Sequence, residues 1–249
     1  VGNVKIAPPL AIHPIAPGFT LIELAIVLFV VTLLLGGVLT PLGQQINERQ
    51  TGETRRVMEI ARTALVGYAL AHQEVLGPES LPCPDLRVTG QTGVANDGQE
   101  DRLSDGHCVD QVGNLPWLTL GLTESDAWGN RLGYAVSPDW SGRHGTSDAH
   151  PHICRDIACD HPMTAAAILI SHGRNGFGAT NVSGGINLRP TSPEEIENVD
   201  GDLRFILHAP RAGDRPGGEF DDLLLPLSPH WLRGRLCDPP SLCRSPTTP

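Results

Sequence analysis

Between Leu24 and Asn47 the chain carries no charged side chain, and its apolar residues follow one another without polar alternation: "LAIVLFVVTLLLGGVLTPLGQQIN". Continuous apolarity of this length predicts a helix that is hydrophobic on every side and long enough to cross a bilayer at about 1.5 Å per residue. Gly36-Gly37 and Pro41 weaken its second half. Beyond Gly43 the pattern changes. Val57, Ile60/Ala61, Ala64/Leu65 and Tyr68/Ala69 recur at helical spacing, while Glu48, Arg49, Glu53, Arg55, Glu59 and Arg62 fall largely elsewhere. This is one apolar face on an otherwise wet helix. Gly77-Pro78 marks its end. Joined, the two stretches predict a helix over 19–76, about 87 Å long.

The remaining pattern is that of a small globular head. It opens on "LPCPD" (81–85), and residues 88–115 are rich in Gly, Asp, Asn and Gln, as a long surface loop would be. "DAWGNRLGYAVS" (126–137) predicts a turn feeding a strand with Leu132, Tyr134 and Val136 on one side. After a second polar loop over 138–163, the runs "AAAILIS" (165–171), "LRFILH" (203–208) and "DLLLPL" (222–227) predict further strands. Pro226 puts the last at a sheet edge or cuts it short. The expected class is α+β, with a long N-terminal helix, transmembrane and then amphipathic, packed on a short antiparallel β-sheet with disulfide-clipped loops. Of the tryptophans, Trp117 and Trp128 suit the core and Trp140, in the polar loop, suits the surface.

Charge removes one class of partner. With 28 acidic against 18 basic residues the net charge is -10. No Lys/Arg cluster stands ready to displace counterions from phosphates, so no nucleic acid is expected. Cysteine usage points to an oxidising compartment: Cys83, Cys108, Cys154, Cys159, Cys237 and Cys243 form an even set downstream of an apolar segment. Spacing favours Cys154 with Cys159 and Cys237 with Cys243, leaving Cys83 with Cys108.

Site chemistry is sparse. "NVDGD" sets Asn198, Asp200 and Asp202 around Gly201, with Asp221 and Asp222 later, an oxygen-rich turn of the kind calcium uses but without the full helix-loop-helix ligand pattern. His150, His152, Cys154, Cys159 and His161 are zinc-compatible in type, but they lack a second matched pair. Ser171 and His172 are neighbours on a strand, where side chains point to opposite faces, so they do not make a nucleophile–base pair. No nucleophile-elbow, metalloprotease or phosphate-loop motif is present, and the expectation is a protein without catalytic residues.

The most specific segment comes first in the chain. Gly18 is followed by Phe-Thr-Leu-Ile-Glu-Leu and then by the apolar run, so a single acid, Glu23, stands near the start of a segment where a carboxylate is costly. "GFTLIEL" in this context resembles the processing signature of type IV prepilins and of the pseudopilins of type II secretion. The resemblance implies that a prepilin peptidase cuts between Gly18 and Phe19 and methylates the new amino group of Phe19. It also implies that Glu23 pairs with the N-terminal amine of a neighbouring subunit as the helices pack. "DAWGNRLGY", "ISHGRNGFGA" and the acidic loop after them partly resemble the head of the major pseudopilin, in which such a loop holds calcium. The two long cysteine-containing loops make this chain larger and favour a minor subunit.

The organisation so expected is a leader over 1–18, a transmembrane and assembly half-helix over 19–42, an amphipathic half over 43–80 and a periplasmic head over 81–249. The protein would be a single-pass inner-membrane subunit added to a pseudopilus or pilus. Its implied partners are the prepilin peptidase, other subunits, the inner-membrane assembly platform and membrane lipid. Two alternatives stay open: a minor pilin whose head binds a ligand, surface or exoprotein, and a membrane-anchored periplasmic enzyme.

Overall fold

The computed structural model describes residues 18, 20–76, 80–89, 92–142 and 149–236, without the side chains of 35–42, 74 and 75. The chain divides into two compact units, Val1–Ile46 and Asn47–Pro249, and the boundary falls inside helix α1, Leu21–Ala71. After a turn at His72 a short helix α2 covers Gln73–Leu76, so the predicted helix end is reached, but with a break in it.

In the first unit the described helical side chains are bare, and from Leu21 to Leu34 all but Glu23 and Thr32 are apolar. Leu21 is 88% exposed, Phe29 67% and Leu34 61%, and none of the side chains from Leu21 to Leu34 is covered. Two expectations are corrected here. Among the described residues no helix is long and apolar enough to cross a membrane. The apolar side chains that are described, Leu24–Leu34, fall short of the roughly 20 residues a crossing takes, and those of 35–42 lie outside the description. That finding overturns both the transmembrane half of the expected fold and the placement as a single-pass inner-membrane protein with a periplasmic head.

The second unit is built on strands β1 (Val112–Asn114), β2 (Gly133–Val136), β3 (His152–Cys154), β4 (Met163–Thr164), β5 (Ala167–Ser171), β6 (Arg204–Ile206) and β7 (Leu223–Leu227). Short helices α3 (Trp117–Leu120), α4 (Pro193–Glu197) and α5 (Pro229–Leu236) lie between and after them. The strands form two sheets, not the single antiparallel sheet expected from the apolar runs. One has the order β1-β2-β5-β7 and is antiparallel throughout; the other has the order β4-β3-β6, with β3 and β6 parallel.

Strand alternation explains why two sheets are needed. Tyr134, Val136, Ala167 and Leu169 of the larger sheet join Met58, Ala61, Leu65 and Ala69 of α1 in the main core, together with Leu232 and Leu236 of α5. The opposite face carries Ala135, Ile168 and Ile170, as apolar as the first, and it is covered by Ile153 and Phe205 of β3 and β6. A sheet apolar on both faces requires a layer on each. β7 is an edge strand, as Pro226 requires, while the other edge, β1, is closed by a bridge in which Asp85 and Asn114 exchange backbone hydrogen bonds of 3.0 and 2.8 Å. Trp140 is 3% exposed, against the expectation of a surface residue: the 3-10 turn Pro138–Trp140 folds it into the core, where the Arg233 guanidinium lies 5.3 Å from its ring centre.

Candidate functional site

The first turn of α1 gives Glu23 a partner that the sequence analysis did not assign. The Thr20 hydroxyl oxygen accepts from the Glu23 backbone N–H at 3.3 Å. In return, Glu23 Oε2 accepts from the Thr20 N–H at 3.4 Å and from its hydroxyl at 3.3 Å. This reciprocal arrangement is a capping box, and it satisfies two of the donors a helix start leaves open. The acid also sits at the positive end of the helix dipole. Thr-x-x-Glu before an apolar run is its sequence signature, so the signal was present. Gly18 is exposed, with open space where a side chain would begin. Phe19 lies outside the described residues, as do Cys237 and Cys243.

The disulfides Cys83–Cys108 and Cys154–Cys159 are formed, as spacing favoured. The first is held by a charged hub: Glu100 Oε2 accepts from the Cys83 N–H at 2.9 Å and from Arg102, and Arg102 also donates to the carbonyls of Leu81, Gly106 and Ser141. Tyr68 of α1 donates to the same Glu100, which ties the clipped loop to the helix. The second disulfide engages both thiols of the zinc-compatible group. His150 Nδ1 is 2.8 Å from the Ser137 hydroxyl, and none of its three histidines belongs to a metal-sized cluster among the described residues.

Of the remaining predicted residues, Ser171, His172, Asn198 and Asp222 lie around the C-terminal ends of β5 and β6. Ser171 donates to Asp126 Oδ2 at 2.6 Å, while His172 Nδ1 lies 3.3 Å from Asp222 Oδ1, so the two neighbours engage different carboxylates. Asn198 is buried, and its amide is committed. Its Oδ1 accepts from the Ile206 N–H at 2.7 Å, and its Nδ2 donates to the Ile206 carbonyl at 3.2 Å and to Asp222 Oδ2 at 2.8 Å. The amide therefore caps the edge of β6. Asp200 and Asp202 group instead with Glu197 on the exposed rim.

A second acidic group, which sequence reasoning did not assemble, joins Glu195 to Asp221 and Asp222, with an oxygen of each within 4.8 Å of the others. Glu195 Oε1 accepts from the Asp221 N–H at 3.0 Å and from Asn175 Nδ2 at 3.2 Å, and Asp221 Oδ2 accepts from the Asn175 N–H at 3.0 Å. The turn that makes this possible passes through Gly173 at φ +60°, where a Cβ would collide with Asp221. Burial, then the charge of Asp222, pushes the Glu195 carboxyl up to about 7. Burial, then Asp222 and Glu219, pushes Asp221 up to about 6. The donor set is all oxygen, which suits calcium better than zinc. Three side chains, one of them already engaged at both oxygens by His172 and Asn198, fall short of the roughly six to eight ligands calcium takes. The arrangement instead favours retained protons, since adjacent buried carboxyls resist ionising together.

Compared with family models, with curated proteins and with solved structures, the chain matches none.

Proposed function

We propose that this protein is a filament subunit of the prepilin class, cut between Gly18 and Phe19, methylated at Phe19, and added through its N-terminal helix to a type II secretion pseudopilus or a type IV pilus. The observation that carries this reading is the bare helix of the first unit. Its side chains from Leu21 to Leu34 are uncovered and, except for Glu23 and Thr32, apolar, and a surface of this kind needs a partner to cover it. Other subunits presenting the same helix would supply one, with Glu23 at the entrance setting the register. A buried carboxylate in such a bundle requires a counter-charge, and the amine released by cleavage at Phe19 is the nearest the sequence offers.

The reading is tested in cells that hold a prepilin peptidase. Gly18→Arg should abolish the size shift of leader removal. Glu23→Ala should leave processing intact and remove the protein from sheared filaments. Unchanged processing of the Gly18 variant would overturn the proposal.

A further inference from the structure

The two described disulfides differ in what covers them. Cys83 is fully buried and Cys108 is 7% exposed, and the Glu100 carboxylate, which accepts from the Cys83 N–H, stands beside that pair and repels an incoming thiolate. The Cys154–Cys159 bond is covered on one side only. Cys154 ends β3, is 1% exposed and packs with Ile206 and Phe220. Cys159 is the most exposed of the four bonded cysteines and lines a cavity of about 340 Å³ with Arg155, Asp156, Asp160, His161 and Met163. It also holds φ +51°, a left-handed backbone that is costly for any side chain, and ring opening lets that cost go.

We propose that Cys159 is a thiol-exchange site that accepts a small thiol from solution. The thiol enters the cavity as its thiolate and its sulfur bonds to Sγ of Cys159. The Cys154–Cys159 bond breaks, and its electron pair leaves on Sγ of Cys154, which then takes up a proton. The thiol is the only co-reactant, since exchange conserves the number of disulfide bonds. A mixed disulfide is left on the surface, and Cys154 stays beside Ile206 and Phe220 as a neutral thiol, which packs as a small hydrophobe. The surroundings do not depend on the bond. The Ile157 carbonyl accepts from Arg204 Nη2 at 3.0 Å, and the Cys154 carbonyl accepts from the Leu207 N–H at 2.9 Å.

The cavity wall sets the class of thiol. Asp156 and Asp160 outnumber Arg155, and Arg204, the cation bonded to this loop, is paired with Glu197. A positively charged thiol is therefore drawn in and a carboxylate-bearing one repelled, an effect that salt screens. The site does not depend on filament assembly.

The test exposes the full-length chain, in weakly alkaline buffer of low ionic strength, to a large excess of cysteamine, 2-mercaptoethanol or mercaptoacetate at equal thiolate concentration. Acid quenching and peptide mass mapping then locate the adducts. The expected adduct is on Cys159, with Cys154 as a free thiol, forming about tenfold faster than any on Cys83 or Cys108 while the circular dichroism of the chain is unchanged. Cysteamine should outrun mercaptoacetate about threefold, and high salt should remove the difference. Because the freed Cys154 can close the ring again, two variants report on access directly. With cystamine as the disulfide, the Cys159 thiol of Cys154→Ser should react about tenfold faster than the Cys154 thiol of Cys159→Ser. Equal rates for those two variants, a thiol adduct on Cys154, or equal rates at the two disulfides would overturn the site. Mercaptoacetate reacting as fast as cysteamine at low salt would overturn the class of thiol assigned to it.

Discussion

Helix α1 contains two apolar stretches with opposite fates. Leu24–Leu34 is exposed along its whole described length, whereas Met58, Ala61, Leu65 and Ala69 are buried to 2% or less. Hydrophobicity alone does not separate them; spacing does. Residues three and four apart make one face, which a single sheet can cover, and the strands of the same chain cover it. Residues apolar on every side make a cylinder, and no single layer closes around it. The head is therefore complete in itself at this face, and the first unit is not.

The sharpest way to break this contrast is a matched pair of truncations. Leu65→Ala should destabilise the head by about 3–5 kcal/mol in chemical denaturation, since Leu65 is fully buried in the main core. Leu28→Ala, on the bare stretch, should change it by less than about 0.5 kcal/mol. Equal losses would mean that the first unit is covered after all. Next in size is the clip at the head's entrance: Cys83→Ala with Cys108→Ala opens a loop with a sequence separation of 25 and should cost about 3 kcal/mol.

Acidity sharpens the picture of the head further. The folded values of Glu195 and Asp221, and of Asp85, which burial and then Asp97 and Asp101 push to about 7, all lie above those of the unfolded chain. The folded head therefore holds more protons. The stability this contributes is complete below the unfolded values and is lost as pH rises through about 6 to 7. Glu195→Gln, which keeps the amide-compatible hydrogen bonds, should flatten that fall by on the order of 2 kcal/mol, seen as a thermal midpoint that drops less between weakly acidic and neutral buffer, with Asp221 and Asp85 supplying the remainder. A smaller loss than these is expected at the start of α1: Thr20→Ala removes one half of the capping box and should cost about 1 kcal/mol, read as faster hydrogen exchange of the first-turn amides.

Much of the head was legible where a local pattern decides the outcome. The alternation of Leu132, Tyr134 and Val136, the helical spacing around Leu65, the edge position of Pro226 and the Cys154–Cys159 disulfide all follow from near neighbours in sequence, and Cys83–Cys108 followed by elimination. What escaped was set by distant pairing. β3 holds only His152–Cys154, in a loop dense in polar residues, and becomes a strand because β6 lies parallel beside it. The acidic group unites Glu195 with Asp221, 26 positions away, and its neighbour Asp222, through a glycine turn whose effect no periodicity announces. Trp140 sits among polar neighbours in sequence and among apolar ones in space. The membrane crossing was the reverse case, a local pattern that the described structure does not sustain.

Both margins of the four-stranded sheet are interrupted, one by the Asp85–Asn114 bridge and the other by a strand whose Pro226 offers no N–H. Neither margin can template a foreign strand in register along its length, so crowding many heads at high local density does not invite amyloid-type stacking. Association of such heads by strand addition at this sheet is disfavoured for the same reason.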